Sequence, residues 1–130
     1  MTPMLPVKNK IYTMLTGDAS LTLLLGGSDN IVSSWPEEIL FFPVVIYQDE
    51  NQSDSEFSDN KPTMSRIRYR IDVFTKSDSV TTTEIGLEIA RIMGDDFFSC
   101  VSNGEVQDNT EGVKHRVMRF GRELFPTDIL

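Results

Sequence analysis

Cysteine and histidine are almost missing from this sequence: Cys100 and His115 stand alone. A lone cysteine makes no intramolecular disulfide, so nothing asks for an oxidising compartment, and Cys100 reads as a small buried hydrophobe. One candidate of each kind excludes a structural zinc site. His115 falls within an expected strand with no flanking motif and reads as structural, not as a catalytic base. Long apolar runs are missing as well. Leu21 to Leu25, broken by Thr22, is far too short to span a bilayer, and the amino end, with Pro3 and Pro6, has no apolar leader, so neither secretion nor membrane insertion is expected. Without a secretion signal the glycosylation pattern Asn51-Gln52-Ser53 carries no weight. Basic residues are the minority, 12 against 20 acidic, for a net charge of −8. That balance argues against a main task of gripping a polyanion.

What is present fits one ordinary globular domain over residues 1–130: 39% apolar and 25% charged residues, with no internal repeat and no linker. Val7, Ile11, Met14 and Leu15 recur at helical steps up to Gly17. Asp18 is placed to cap a second short helix through Leu21, Leu24 and Leu25, with Gly26-Gly27 as its left-handed stop. A short strand over 31–34 is followed by the breaker Trp35-Pro36. Val44-Val45-Ile46-Tyr47 reads as a buried strand. In 64–74, Ile67, Tyr69, Ile71 and Val73 alternate with Arg66, Arg68, Arg70 and Asp72, which predicts a strand with one apolar face.

Between these two strands, residues 49–63 have almost no hydrophobic content and no period, which predicts a long flexible hairpin loop. A Ser77 or Ser79 cap then leads into a helix striped with Ile85, Ile89, Ile92 and Met93 and ending near Gly94. A weak strand over 105–108 and a stronger one over 113–120 close the chain. The order is α-α-β-β-β-α-β-β, an α+β architecture.

The search for chemistry returns no catalytic, cofactor-binding or metal-ligating residue. Gly26-Gly27-Ser28 follows a helix and lacks the spacing of a phosphate cradle. Asp49, Asn51 and Ser53 mimic an EF-hand start, but Asp54 stands where the turn needs Gly and Asn60 where a bidentate Glu closes the site. Asp95 and Asp96 read as solvated charge at a helix end. Arg66, Arg68 and Arg70 are different, because three guanidinium groups on one strand face repel one another unless anions are near. One reading pairs them with acids on the neighbouring strand; the other sets them against the acidic surface of an adjacent subunit or along a channel. In the loop, Phe57 is the one sizeable apolar side chain, an anchor for a partner's pocket with Asp54, Glu56 and Asp59 meeting basic groups around it.

The succession of an amino-terminal helix, Leu-Thr-Leu-Leu-Leu-Gly-Gly, Phe-Phe-Pro-Val-Val-Ile-Tyr, an acidic loop and Arg-Ile-Arg-Tyr-Arg-Ile-Asp-Val-Phe-Thr-Lys-Ser-Asp-Ser resembles the tail-completion family of tailed bacteriophages, the tail terminator and tail-to-head joining proteins. The resemblance covers nearly the whole chain and carries no catalytic motif. It implies a central, mostly antiparallel sheet flanked by helices. It also implies a non-enzymatic virion protein of a long-tailed phage, six copies of which form a ring that terminates the tail tube and joins tail to head. The implied partners are further copies of the chain, the tail tube protein and the head-completion or connector protein, with DNA at most passing through the ring lumen. The implied location is the tail or neck of the virion, assembled in the host bacterial cytoplasm, with no cofactor and no membrane. Two alternatives remain: a head-closure or adaptor neck protein, and an unrelated small binding domain or enzyme, which would have to present a concave pocket with perturbed titratable groups.

Overall fold

The computed structural model describes residues 4–39, 41–58, 61–76, 80–108 and 110–124. Helix α1 spans Met4–Thr16 and α2 spans Ala19–Leu25. The Asp18 side chain caps α2 by accepting from the Leu21 amide at 3.0 Å, and Gly26 leaves the helix at φ 82°. A left-handed exit of this kind is nearly free for glycine and strained for other residues. A 3₁₀ turn, Ser28–Asn30, leads into β1, Ile31–Val32. The Asn30 side-chain amide donates to the carbonyls of Leu25 and Pro43, at 2.6 and 2.9 Å, and so ties the end of α2 to the start of the next strand.

Strands β2 (Val44–Ser58) and β3 (Lys61–Thr75) precede α3 (Thr82–Asp95), and β4 (Ser99–Val106) and β5 (Lys114–Leu124) follow it. The five strands form one sheet in the order β1-β2-β3-β5-β4, antiparallel except for the β1–β2 pair. The α+β architecture expected from the sequence is the one found.

The alternation in β3 decides which face is which. Ile67, Tyr69, Ile71 and Val73 join Val45, Tyr47, Met118 and Phe120 beneath the helices, packed against Ile11, Leu15, Leu21, Leu25, Ile85, Ile89 and Met93. Full burial of each such side chain contributes about 1.5–3 kcal/mol relative to exposure, so the helices are held by this face. A Cβ on Gly86 would stand 3.1 Å from Arg116 Cδ and 3.4 Å from Met118 Sδ, so α3 lies close over β5 here and a larger residue would require these two side chains to shift. The opposite face is covered over only part of its length: Val44, Ile46, Phe74 and Val113 pack with Val32 of β1 and with Ile39 and Phe42 of the β1–β2 connection.

Several expectations are corrected. Residues 49–63 do not form a loop without secondary structure. The backbone continues both strands, from Asp49↔Tyr69 to Ser58↔Lys61, with irregularities between Asp49 and Asn51, Asp54 and Glu56, and Glu56 and Phe57. A hairpin ladder satisfies backbone amides whatever the side-chain polarity, so low hydrophobicity excludes a core strand here but not a ribbon. Among the described residues, pairing of β3 with β5 stops at Ser65↔Leu124, and beyond it the ribbon has no third strand.

The expected Ser77 and Ser79 caps lie outside the described residues. The helix starts on Thr81, whose hydroxyl accepts from the Glu84 amide at 3.1 Å while the Glu84 carboxylate accepts from the Thr81 amide at 3.4 Å, a capping box. Cys100, on the edge strand β4, is exposed instead of buried. That strand also begins earlier than expected, at Ser99.

Candidate functional site

The three arginines of β3 share the face away from the helices, and the structure separates their roles. Arg70 turns along its own strand to Asp72: Nε donates to Oδ1 at 2.8 Å and Nη2 to Oδ2 at 2.9 Å. The Asp72 side chain is fully buried, a position that a carboxylate occupies only when paired. Its Oδ2 also lies 2.7 Å from His115 Nε2. The His115 ring stacks on Phe74, with centroids 4.0 Å apart and planes 19° apart, and Trp35 of the β1–β2 connection sets its edge against both rings. His115 is therefore one wall of a buried ion cluster. The bidentate hydrogen bond that Arg70 donates to Asp72 raises the Arg70 guanidinium above its ordinary value, against the opposing effect of burial.

Arg66 and Arg68 remain exposed. Arg66 lies opposite Glu123 of β5, 3.3 Å from its carboxylate, with both side chains more than half in solvent. Such pairs contribute little to stability. Arg68 lies opposite Gly121, where an added Cβ would meet Val101 Cγ2 at 3.4 Å, so no side chain of β5 shields this guanidinium. Arg119 of β5, opposite Arg70, is drawn to Glu50 of β2 at 3.0 Å. The upper half of the open face is thus a lane of Arg66, Arg68, Arg70 and Arg119, of which the first two point their charge outward.

The reading that pairs these arginines with acids of a neighbouring strand holds for Arg66, which meets Glu123 of β5, while Arg70 is satisfied by Asp72 of its own strand and Arg68 stays exposed. Asp54, Glu56 and Phe57 occupy register positions opposite Ser65, Met64 and Pro62 on the ribbon, and Asp59 lies outside the described residues. The hairpin therefore places the acidic ribbon and the arginine lane end to end on the same two strands.

Asp72, Arg119 and Glu50 went unread as members of this site. Asp72 sits at a polar-face position of an alternating strand, but nothing in the sequence brings His115 or Arg119 beside it. Asp96 also departs from its reading as solvated charge. It accepts from Lys10 at 2.8 Å and Arg122 at 3.0 Å, and so joins α1, α3 and β5. A shallow cleft of about 260 Å³, lined in part by Lys10, Asp18, Arg91, Asp95 and Asp96, lies beside this pair. Its ionised groups close on one another, Asp18 with Arg91 and Lys10 with Asp96. The hydrogen bond from Arg91, joined by the Leu21 amide, holds the Asp18 carboxyl below its ordinary 3.8. This is the chemistry of a tied helix cap. Among the described residues, charged groups outside this cleft form ion pairs at the surface, as in Arg66–Glu123 and Arg119–Glu50.

Comparison with known proteins agrees with that character. The family described as "Tail completion protein gp17" matches residues 9–121. Among solved structures, a chain from "Virion of native gene transfer agent (GTA) particle" superposes with a TM-score of 0.61 at 14% identity, over 89% of this chain and 92% of that one. At that identity the likeness is one of fold. No curated protein matches the chain.

Proposed function

The chain belongs to the tail completion protein gp17 family, and from that premise we propose that it is a non-catalytic structural protein of a long-tailed phage, built into the tail as a closed ring of identical copies. The ring, six copies by the family resemblance, ends the tail tube and presents a docking surface to the head connector. Its partners are further copies of itself, the tube protein and the head-completion protein. DNA passes at most through the lumen, and the protein resides at the neck of the virion after assembly in the bacterial cytoplasm.

The observation that carries this reading is the match over residues 9–121. The open face supports it, since a lane with Arg66 and Arg68 turned outward and a ribbon bearing Asp49, Glu50, Asp54 and Glu56 are complementary surfaces on one chain. A ring repeats one heterologous interface without free ends, and laying the acidic ribbon of one copy on the arginines of the next supplies such an interface. A two-stranded hairpin is only marginally stable by itself in water, so the ribbon over 50–58 and 61–64 gains stability on docking, with Phe57 as the anchor.

The test is to image particles produced without the chain. Intact heads beside unjoined tails of uncontrolled length support a terminator. Complete tails of normal length that merely fail to join heads support the alternative of a head-closure adaptor, and fully joined particles refute both.

A further inference from the structure

Gly121 stands in the interior of the sheet, because β5 has β3 on one side and β4 on the other. A glycine weakens an interior strand, and it belongs there where the backbone turns left-handed or where something approaches closely. The backbone does not require it: the glycines with positive φ are Gly26, Gly27 and Gly112. Packing within the chain does not require it either, since an added Cβ would stand 3.4 Å from Val101 Cγ2 and 3.8 Å from the Ile67 carbonyl, both ordinary contacts. What the missing side chain leaves is a notch in the open face. The β5 backbone is its floor, Arg68, paired opposite Gly121, is one wall, and Val101 of β4 is the other. Both walls are exposed, Val101 at 51%. Val101 has no partner on β5, between Cys100↔Phe120 and Ser102↔Arg119, and such an irregularity re-aims a side chain.

A flat seat between a guanidinium and a valine fits an aromatic ring. Its face covers the bare backbone, as aromatic side chains do for glycines within sheets, and the cation lies against it. The exposed aromatic side chains of the chain are a poor match. Phe97 already has the Arg122 guanidinium 5.7 Å from its centroid, Trp35 sets its edge on Phe74 and His115, and Tyr12 faces Tyr47. Phe41 follows Ile39 and Leu40 and precedes Phe42 and Pro43, so it brings no carboxylate with it. Phe57 does, with Glu56 beside it and Asp54 three residues before. Those carboxylates complement the exposed Arg66 and Arg68 at the notch. Within one chain the two halves stay apart. Phe57 pairs with Pro62, and Pro62 and Arg68 are six positions apart on β3, about 20 Å along an extended strand. The phenyl group that fills the notch therefore comes from a second copy.

We propose that the notch over Gly121 receives Phe57 of the next copy, its phenyl group stacked on the Arg68 guanidinium and against Val101, with Asp54 and Glu56 meeting Arg66 and Arg68. The proposal rests on the ring reading and gives the ribbon a specific seat in it. Gly121 then costs the free chain some strand stability and keeps the seat open. Removal of an aromatic anchor at a desolvated hot spot weakens association by at least about 10-fold.

Gly121→Val fills the notch with a side chain suited to a strand, so it is expected to raise the melting temperature by roughly 2–4 °C and yet to lose self-association. Association is measured by sedimentation of the chain alone and on purified tail tubes. Phe57→Ala should lose association to a similar extent, and the double variant should be no weaker than either single one, because both remove the same contact. In a Cys100→Ser background, a short bis-maleimide should link Phe57→Cys to Val101→Cys when the two variants are mixed and should link neither variant to itself. Four results overturn the proposal while leaving the ring standing: normal association of Gly121→Val, additive losses in the double variant, absence of the mixed link in assembled protein, or loss of binding to the tube alone with self-association intact. A wild-type chain that associates neither alone nor on tubes overturns the ring as well.

Discussion

Asp72→Asn separates the part of the open face that holds the fold from the part that faces a partner. The carboxylate is fully buried and accepts three short hydrogen bonds, 2.8 and 2.9 Å from Arg70 and 2.7 Å from His115. Asn keeps the shape, loses the charge, and retains an acceptor for only part of this set. Charge-assisted hydrogen bonds contribute about 1.5–3 kcal/mol each. Two effects reduce the sum: Arg70 keeps 28% exposure and can turn to water, and the desolvation cost of the carboxylate disappears with it. The expected net loss is about 2–4 kcal/mol, read as a fall of about 1–2 M in the urea midpoint at unchanged slope. The double variant Arg70→Met with Asp72→Leu should recover much of that loss, because an apolar pair has no charge to desolvate. A loss below about 0.5 kcal/mol, within the range of ordinary surface changes, would refute the claim that this cluster fixes the open face.

Arg66→Gln and Arg68→Gln should each change stability by less than about 0.5 kcal/mol in thermal melts while weakening assembly, and Arg70→Gln should lower the melting temperature clearly. Tyr69→Phe should stabilise the chain by about 1 kcal/mol, because the Tyr69 hydroxyl is buried with no partner among the described residues. Burial first, and Asp49 second, push the Tyr69 phenol well above its ordinary 10.0. The unfolded chain thus loses this proton first, stability falls as pH rises past about 10, and the variant should flatten that fall in alkaline melts. Asp18→Ala removes the α2 cap and should cost about 1–2 kcal/mol. The Asp18 carboxyl is held below 3.8 in the folded chain, so its contribution is present above that value and lost as pH falls through the folded value. The variant should accordingly show a shallower acid transition.

Local chemistry was readable where one residue decides one feature. Asp18 and Gly26 bracket α2 as their side chains require, and the alternation of Ile67, Tyr69, Ile71 and Val73 with the arginines identified both the strand and its buried face. What escaped depends on partners far along the chain. Polar residues 49–58 are strand because β3 lies beside them to satisfy their amides, and Cys100 is exposed because the sheet order puts β4 at the edge. In place of the expected Ser77 or Ser79, the helix is capped by Thr81, whose hydroxyl accepts from the Glu84 amide and whose amide donates to the Glu84 carboxylate. The site divided in the same way: the shared face of Arg66, Arg68 and Arg70 follows from period two, but the capture of Arg70 by a buried Asp72, itself bridged to His115, is a tertiary fact.

The central claim is a closed ring of this chain at the head-proximal end of the tail tube, and electron cryomicroscopy of assembled tails tests it directly. The account predicts identical copies around the tube axis, with the ribbon of each ordered over a neighbour's Arg66 and Arg68. A single copy at that end, an open or helical arrangement, or density for the chain on the head side alone would contradict it.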